Sequence, residues 1–265
     1  MITVNGARIA CTGTGPRDAP AVVFGHGLLF GGWMFGPQIA ALRTRYRCVT
    51  LDWRGQGESP PGPGGYDMDT LTADALGLIE ALDLAPAHWV GLSMGGFVGQ
   101  RLAARHGGVL RSLTLLGTSA GPEEPRKARE YRRMARIQQL TGVRPLLPRI
   151  TPLLFGPAFL ANPAARPTLT AWRRRLTRLD RTALRGAVQA VADRPGIETE
   201  LGRISVPTLV ATGADDIATP PAEARRIAGL VPAAELHLLP RCGHTSTLEQ
   251  PAVVTSLLDT FLGRL

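Results

Sequence analysis

Cysteine is scarce and unpatterned in this chain. Its three cysteines, Cys11, Cys48 and Cys242, lie far apart with no C-x-x-C spacing, which argues against a disulfide framework and against a zinc site. No uninterrupted apolar run reaches the roughly 18 residues of a membrane-spanning helix. The opening Met1-Ile2-Thr3-Val4-Asn5-Gly6 has neither the basic nor the apolar stretch of a secretory leader. The expectation is a cytoplasmic protein with no membrane partner. Internal repeats and low-complexity tracts are lacking as well, which excludes solenoids and compositionally biased tails. What remains is 265 residues, 44% hydrophobic and 19% charged, the profile of a globular chain long enough to bury a sizeable core.

The formal charge of +9 is unevenly spread. From Pro122 to Arg185 there are 15 Lys or Arg against 4 Asp or Glu, a net +11, so the rest of the chain carries −2. A basic patch can hold nucleic acid or draw in an acidic substrate, but no aromatic stripe accompanies these arginines to stack bases. A solvated helical surface is the simpler reading, and no nucleic-acid partner is expected.

Short apolar runs alternate with turns through the first 120 residues. Ile2–Val4 and Ala7–Cys11 read as a hairpin around Asn5-Gly6. Ala21–Phe24, Cys48–Leu51, the run ending at Val90, and Leu113–Leu116 read as buried strands. Helices are expected over Trp33–Arg43, over Leu71–Leu82 behind an Asp69 N-cap, and from the Gly91–Gly96 turn to about His106. Strand–helix alternation of this kind implies a mostly parallel sheet whose ligands collect at the C-terminal strand ends. From Gly121 to Gly196 the rhythm stops. Leu169, Trp172, Leu176, Leu179 and Ala183 form one helical seam there, and Tyr131, Met134 and Ile137 a weaker one. Strands at Pro207–Ala211 and Glu235–Leu239 and helices at Pro221–Leu230 and Val253–Leu262 then restore the α/β pattern. The expected division is a core of residues 1–120 and 197–265 interrupted by a helical insertion at 121–196.

Gly91-Leu92-Ser93-Met94-Gly95 has the pattern G-x-S-x-G between a strand and a helix. A chain that turns abruptly from strand to helix needs small neighbours at the corner, and it lifts the corner serine above the sheet as a nucleophile elbow. Serine needs an imidazole to take its proton. His88 and His237 fall within strands, His106 at a helix end, and His26 in a His-Gly loop suited to shaping backbone. His244 follows the last strand and precedes the closing helix, where it can reach the elbow. The imidazole needs a carboxylate to fix its tautomer. Asp215 and Asp216 both follow the strand before the histidine strand. Asp216, third after Gly213 and fourth before Pro220, is favoured, with Asp215 left to cap or pair. The oxyanion of an acyl-transfer intermediate needs two donors, and the backbone N–H groups of Met94 and Leu28 stand in the expected positions.

The order Ser93, Asp216, His244, each after a strand, is that of the α/β-hydrolase arrangement. The chain resembles that superfamily over nearly its full length, through His26-Gly27, Asp52-Trp53-Arg54-Gly55-Gln56-Gly57-Glu58-Ser59, Gly91–Gly96, Gly213–Asp216 and Gly243-His244. Ala87–Gly96, Leu115–Ala120 and His244–Pro251 are similar to stretches of 3-oxoadipate enol-lactonases and related small esterases. Enol-lactonases usually lack the His-Gly pair, whereas general esterases have it. The resemblance implies an α/β-hydrolase fold, with a mostly parallel eight-stranded sheet and a helical cap, and no metal or cofactor. It also implies a small ester or lactone substrate, which the cap arginines could draw in if it is anionic. A C–C bond hydrolase or a cofactor-free perhydrolase would use the same three residues, and a ligand-binding protein could retain the same fold. Dehalogenases and epoxide hydrolases need a carboxylate where Ser93 stands. Oligomeric state is left open, a homodimer included.

Overall fold

Apolar side chains alternate between the two faces of the central strands, and this alternation builds the molecule in layers. The computed structural model describes all 265 residues. The strands are β1 (Ile2–Val4), β2 (Ala7–Ile9), β3 (Cys11–Thr14), β4 (Ala21–Gly25), β5 (Arg47–Leu51), β6 (Ala87–Leu92), β7 (Leu110–Leu116), β8 (Thr208–Gly213) and β9 (Glu235–Leu239). Seven of them form one sheet in the order β3-β5-β4-β6-β7-β8-β9, parallel except for the antiparallel edge strand β3.

Val23, Val49, Trp89, Leu113 and Val210 point to one face of the sheet. They pack there with residues of α2 (Met68–Ala81), α3 (Met94–Arg105) and α9 (Pro221–Leu230). Val22, Phe24, Val90, Leu92 and Leu209 point to the other face, against α1 (Gly36–Leu42) and α11 (Pro251–Leu262). A short helix, α10 (Ser246–Glu249), precedes α11. No helix is long and apolar enough to cross a membrane.

The sheet has seven strands rather than the eight expected. β1 and β2 pair only with each other, Ile2 opposite Ile9. The break falls at Ala10, whose N–H goes to Ser59 Oγ (2.8 Å) while its carbonyl accepts from the Asp52 N–H (2.8 Å). The run read as one strand from Ala7 to Cys11 therefore bends, and only Cys11–Thr14 joins the main sheet. The N-cap of α2 is Asp67, which accepts from the Thr70 N–H at 2.9 Å. Asp69, the expected cap, instead pairs with Arg101 and Arg105.

Between β7 and β8 lie only helices: α4 (Pro125–Thr141), α5 (Leu147–Leu154), α6 (Pro157–Ala161), α7 (Arg166–Leu176) and α8 (Arg181–Ala192), with short 3₁₀ turns. The seam expected as one helix is divided between two. Asp180 caps α8 through the N–H groups of Thr182 (2.9 Å) and Ala183 (2.8 Å), so a new helix starts where the apolar spacing alone would continue the old one. This segment sits on the core through an aromatic cluster. Trp172 lies 6.1 Å from Phe30 and 5.3 Å from Phe155, ring centroid to centroid.

Candidate active site

Ser93 is where β6 ends and α3 begins, and its backbone is held at φ 53°, ψ −111°. A non-glycine residue there stores about 1–3 kcal/mol of strain, so its surroundings must enforce it. A Cβ on Gly95 would stand 1.9 Å from the Gly25 carbonyl oxygen, and one on Gly91 would stand 2.2 Å from the Gly95 carbonyl oxygen. Strand, corner and helix touch through bare backbone, and only glycine permits that contact. The Ser93 carbonyl accepts from the Gly96 and Phe97 N–H groups and from Thr118 Oγ1. Its own N–H donates to the Leu116 carbonyl at 2.8 Å. The hydroxyl makes no hydrogen bond inside the protein and faces a cavity.

His244 and Asp216 meet across the ends of β8 and β9. His244 Nδ1 donates to Asp216 Oδ2 at 2.8 Å, with the side chains 4% and 0% exposed. Thr219 completes the carboxylate's shell, its N–H on Oδ1 at 2.9 Å and its hydroxyl on Oδ2 at 2.8 Å. Burial acts to lower the His244 pKa, but the charge and hydrogen bond of Asp216 outweigh it and hold the imidazole above its usual 6.5. The Asp216 carboxyl is held below its usual range, since His244 and Thr219 overcome the opposing effect of burial. With its proton on Nδ1, His244 is left with a free Nε2. Ser93 and His244 line the same cavity, with no hydrogen bond yet joining them. Asp215 is exposed.

The loop after β4 carries Leu28, one of the two expected donor positions. His26 is fully buried, and both its ring nitrogens are engaged: Nδ1 donates to the Gly27 carbonyl at 2.8 Å and Nε2 accepts from the Trp53 N–H at 3.0 Å. Trp53 Nε1 returns a bond to the His26 carbonyl at 2.8 Å. Burial pulls the His26 pKa down despite the nearby Asp52, so this imidazole stays neutral and clamps backbone. Gly27 packs against Ser93, since a Cβ there would lie 3.4 Å from the Ser93 Cβ. Leu29 is left-handed (φ 72°) and gives its N–H to Gln56 Oε1 at 3.0 Å. The N–H groups of Leu28 and Met94 are left with no partner in the protein.

The cavity encloses about 110 Å³. Its floor carries Ser93, His244, Leu28 and Thr219, and its walls come mainly from apolar residues of the helical segment such as Met134, Ile150, Leu154 and Leu184. No Lys or Arg lines it. The arginines of 122–185 contribute no side chain to this lining, and Lys127 is the nearest cation of that segment, its Nζ donating to the carbonyl of the lining residue Ala218 at 3.2 Å. The one carboxylate on the wall, Glu123, is neutralised by Arg194 at 2.8 Å. No cluster of three or more His, Cys, Asp or Glu side chains could hold a metal ion.

Residues 20–251 match the family described as the alpha/beta hydrolase fold. The chain belongs to that family. It is similar to 3-oxoadipate enol-lactonase 2 of Acinetobacter baylyi, 26% identical over 256 residues that cover 94% of this chain and 91% of the relative. Among solved structures it is similar to the enol-lactonase from Burkholderia xenovorans, with 30% identity, a TM-score of 0.91 and 98% of each chain covered. It is also similar to a thermophilic esterase from Thermogutta terrifontis, with 28% identity, a TM-score of 0.89, and 97% of this chain and 93% of that one covered.

Three positions of this α/β hydrolase escaped the motif reading. Thr219 holds Asp216, Trp53 holds His26, and Glu249 organises the histidine loop. The Glu249 carboxylate accepts from the N–H groups of Gly243 (2.8 Å), Thr245 (3.0 Å) and Gly156 (3.0 Å), tying the loop that carries His244 to the start of α6. Each lies inside or near a motif read for another residue. Their signal was a polar side chain in a stretch that folding buries, visible only once the strands are in place.

Proposed function

We propose that this protein is a serine hydrolase of small, neutral and largely apolar carboxylic esters or lactones. In this reading Ser93 Oγ attacks the substrate carbonyl as its proton passes to His244 Nε2. The Leu28 and Met94 N–H groups receive the developing oxyanion. His244 returns the proton to the leaving alkoxide as the C–O bond breaks, giving an acyl-enzyme on Ser93. Water, deprotonated by the same imidazole, then attacks the acyl carbon, and serine leaves with the proton. Asp216 keeps the proton of His244 on Nδ1 and stabilises the imidazolium. Residues 121–196 act as a cap that shapes the pocket over a core of 1–120 and 197–265. The similar proteins named enol-lactonase and esterase support an ester-type bond, and the wall without cations supports a neutral substrate.

The observation that carries the proposal is the buried 2.8 Å His244–Asp216 pair on the cavity faced by a strained, unpartnered Ser93. The test is labelling by a fluorophosphonate probe together with turnover of short p-nitrophenyl esters, each compared with Ser93→Ala. Loss of both signals in the variant is expected. Absence of Ser93-dependent labelling in the wild-type protein would overturn the reading.

A further inference from the structure

The burial of α4 inverts its sequence pattern at one point. Ile137 is 37% exposed and Leu140 80% exposed, whereas the intervening polar residue Gln138 is 5% exposed and lines the cavity with Ser93 and His244. Its Oε1 is buried without a hydrogen-bond partner inside the protein. Buried side-chain amides are almost always bonded, and an apolar residue would fill this wall without leaving polar atoms unpaired. A local rule broken with no compensating contact inside the protein marks a position shaped by something else.

The surroundings narrow what that is. Tyr131, on the same face of α4 and seven residues earlier, lies one turn beyond Lys127, whose Nζ donates to the Ala218 carbonyl at 3.2 Å beside the Thr219 that holds Asp216, so this end of α4 is the reactive end. Seven residues of helix span roughly 10 Å, so Gln138 stands toward the far end of the cavity. It also borders a second cleft of about 100 Å³, lined in part by Thr141, Gly142 and Arg144. A half-turn of the amide exchanges its donor and acceptor, and neither end carries charge.

We propose that Gln138 is a specificity residue that hydrogen-bonds a neutral polar group, a hydroxyl or an amide, on the part of the substrate remote from the scissile ester. The substrate class is therefore an ester with an apolar chain ending in such a group. This rests on the serine-hydrolase reading, and its test is separable from it.

Short ω-hydroxyacyl p-nitrophenyl esters and their unsubstituted counterparts are compared in the wild type and in Gln138→Leu. The wild type should favour the hydroxylated series by roughly tenfold or more in kcat/KM. Gln138→Leu should lose that preference, with the loss falling on the hydroxylated series more than on the plain esters, and match or exceed the wild-type melting temperature, since an unpaired buried carbonyl oxygen is removed. No preference in the wild type, or an equal loss on both series with a lower melting temperature, overturns the proposal. Fluorophosphonate labelling in parallel reports on Ser93 alone. Should labelling fail, calorimetric binding of a hydroxyalkyl ketone, which cannot be cleaved, still distinguishes wild type from Gln138→Leu.

Discussion

In the proposed reaction His244 serves as a base only when neutral, and its environment raises the pH at which it becomes so. Because its pKa is held above 6.5, the imidazole loses its proton at a higher pH than an ordinary histidine. Activity should therefore rise along an acid limb centred above 6.5. Asp216→Asn removes the charge that outweighs burial, so the limb should move to lower pH. The wrong tautomer should at the same time cost about three to four orders of magnitude in kcat. A pH profile of kcat/KM for both forms checks the direction, and a limb that does not move would separate Asp216 from the titration. Asp215, one residue away and exposed, should tolerate the same change with nearly full activity.

At the scale of the element, the strand–corner–helix unit depends on backbone contact. Gly95→Ala places a methyl group 1.9 Å from a carbonyl oxygen that cannot move without distorting β4, and more than about 3 kcal/mol of stability should be lost. Gly107, just past the other end of the same helix, has nothing within 4 Å of its Cβ position. Gly107→Ala should leave the midpoint of urea unfolding nearly unchanged, and the pair of variants isolates close approach from glycine content. Elements of this kind were legible in the sequence because their causes are local. Pro221–Leu230 and Glu235–Leu239 end where Pro, Gly and the apolar period say they should, and the elbow is a five-residue pattern. What resisted reading was set by tertiary contacts. The Ala10 break depends on Ser59, the division of α7 from α8 on which side chain caps, and the inward face of α4 on a cavity that spacing cannot show. Tyr131 and Met134 were found from their period, but Gln138 could not be, because polarity argued for the surface.

For the molecule as a whole, two imidazoles kept neutral make folding sensitive to acid. Burial, with Arg111 assisting, lowers the His88 pKa to about 4 from 6.5, and burial lowers that of His26 as well. Between those limits these two imidazoles bind more protons in the unfolded chain than in the native one, so the stability they contribute is complete above about 6.5 and falls as the pH drops toward 4. Melting temperatures should decline across that window, and less steeply in His88→Asn. An unchanged slope in the variant would assign the acid lability elsewhere. The arginines of residues 122–185 enter this balance as surface charge. Hydrolysis of a neutral ester should accordingly be indifferent to added salt at concentrations that screen exposed charges.

Leu29 has a consequence for how this pocket can change. Its side chain lines both the 110 Å³ cavity and a separate outer cleft of about 500 Å³ bounded by Trp33, Asp52 and Arg175, while its backbone sits where glycine would rest more easily. Leu29→Gly therefore relieves strain and removes a side chain from a residue common to both linings. The enlarged pocket should accept bulkier alcohol groups than the native site, read as a gain in turnover of aryl or branched esters over methyl esters. Size selectivity can thus be changed at Leu29 without rebuilding the chemistry beneath it.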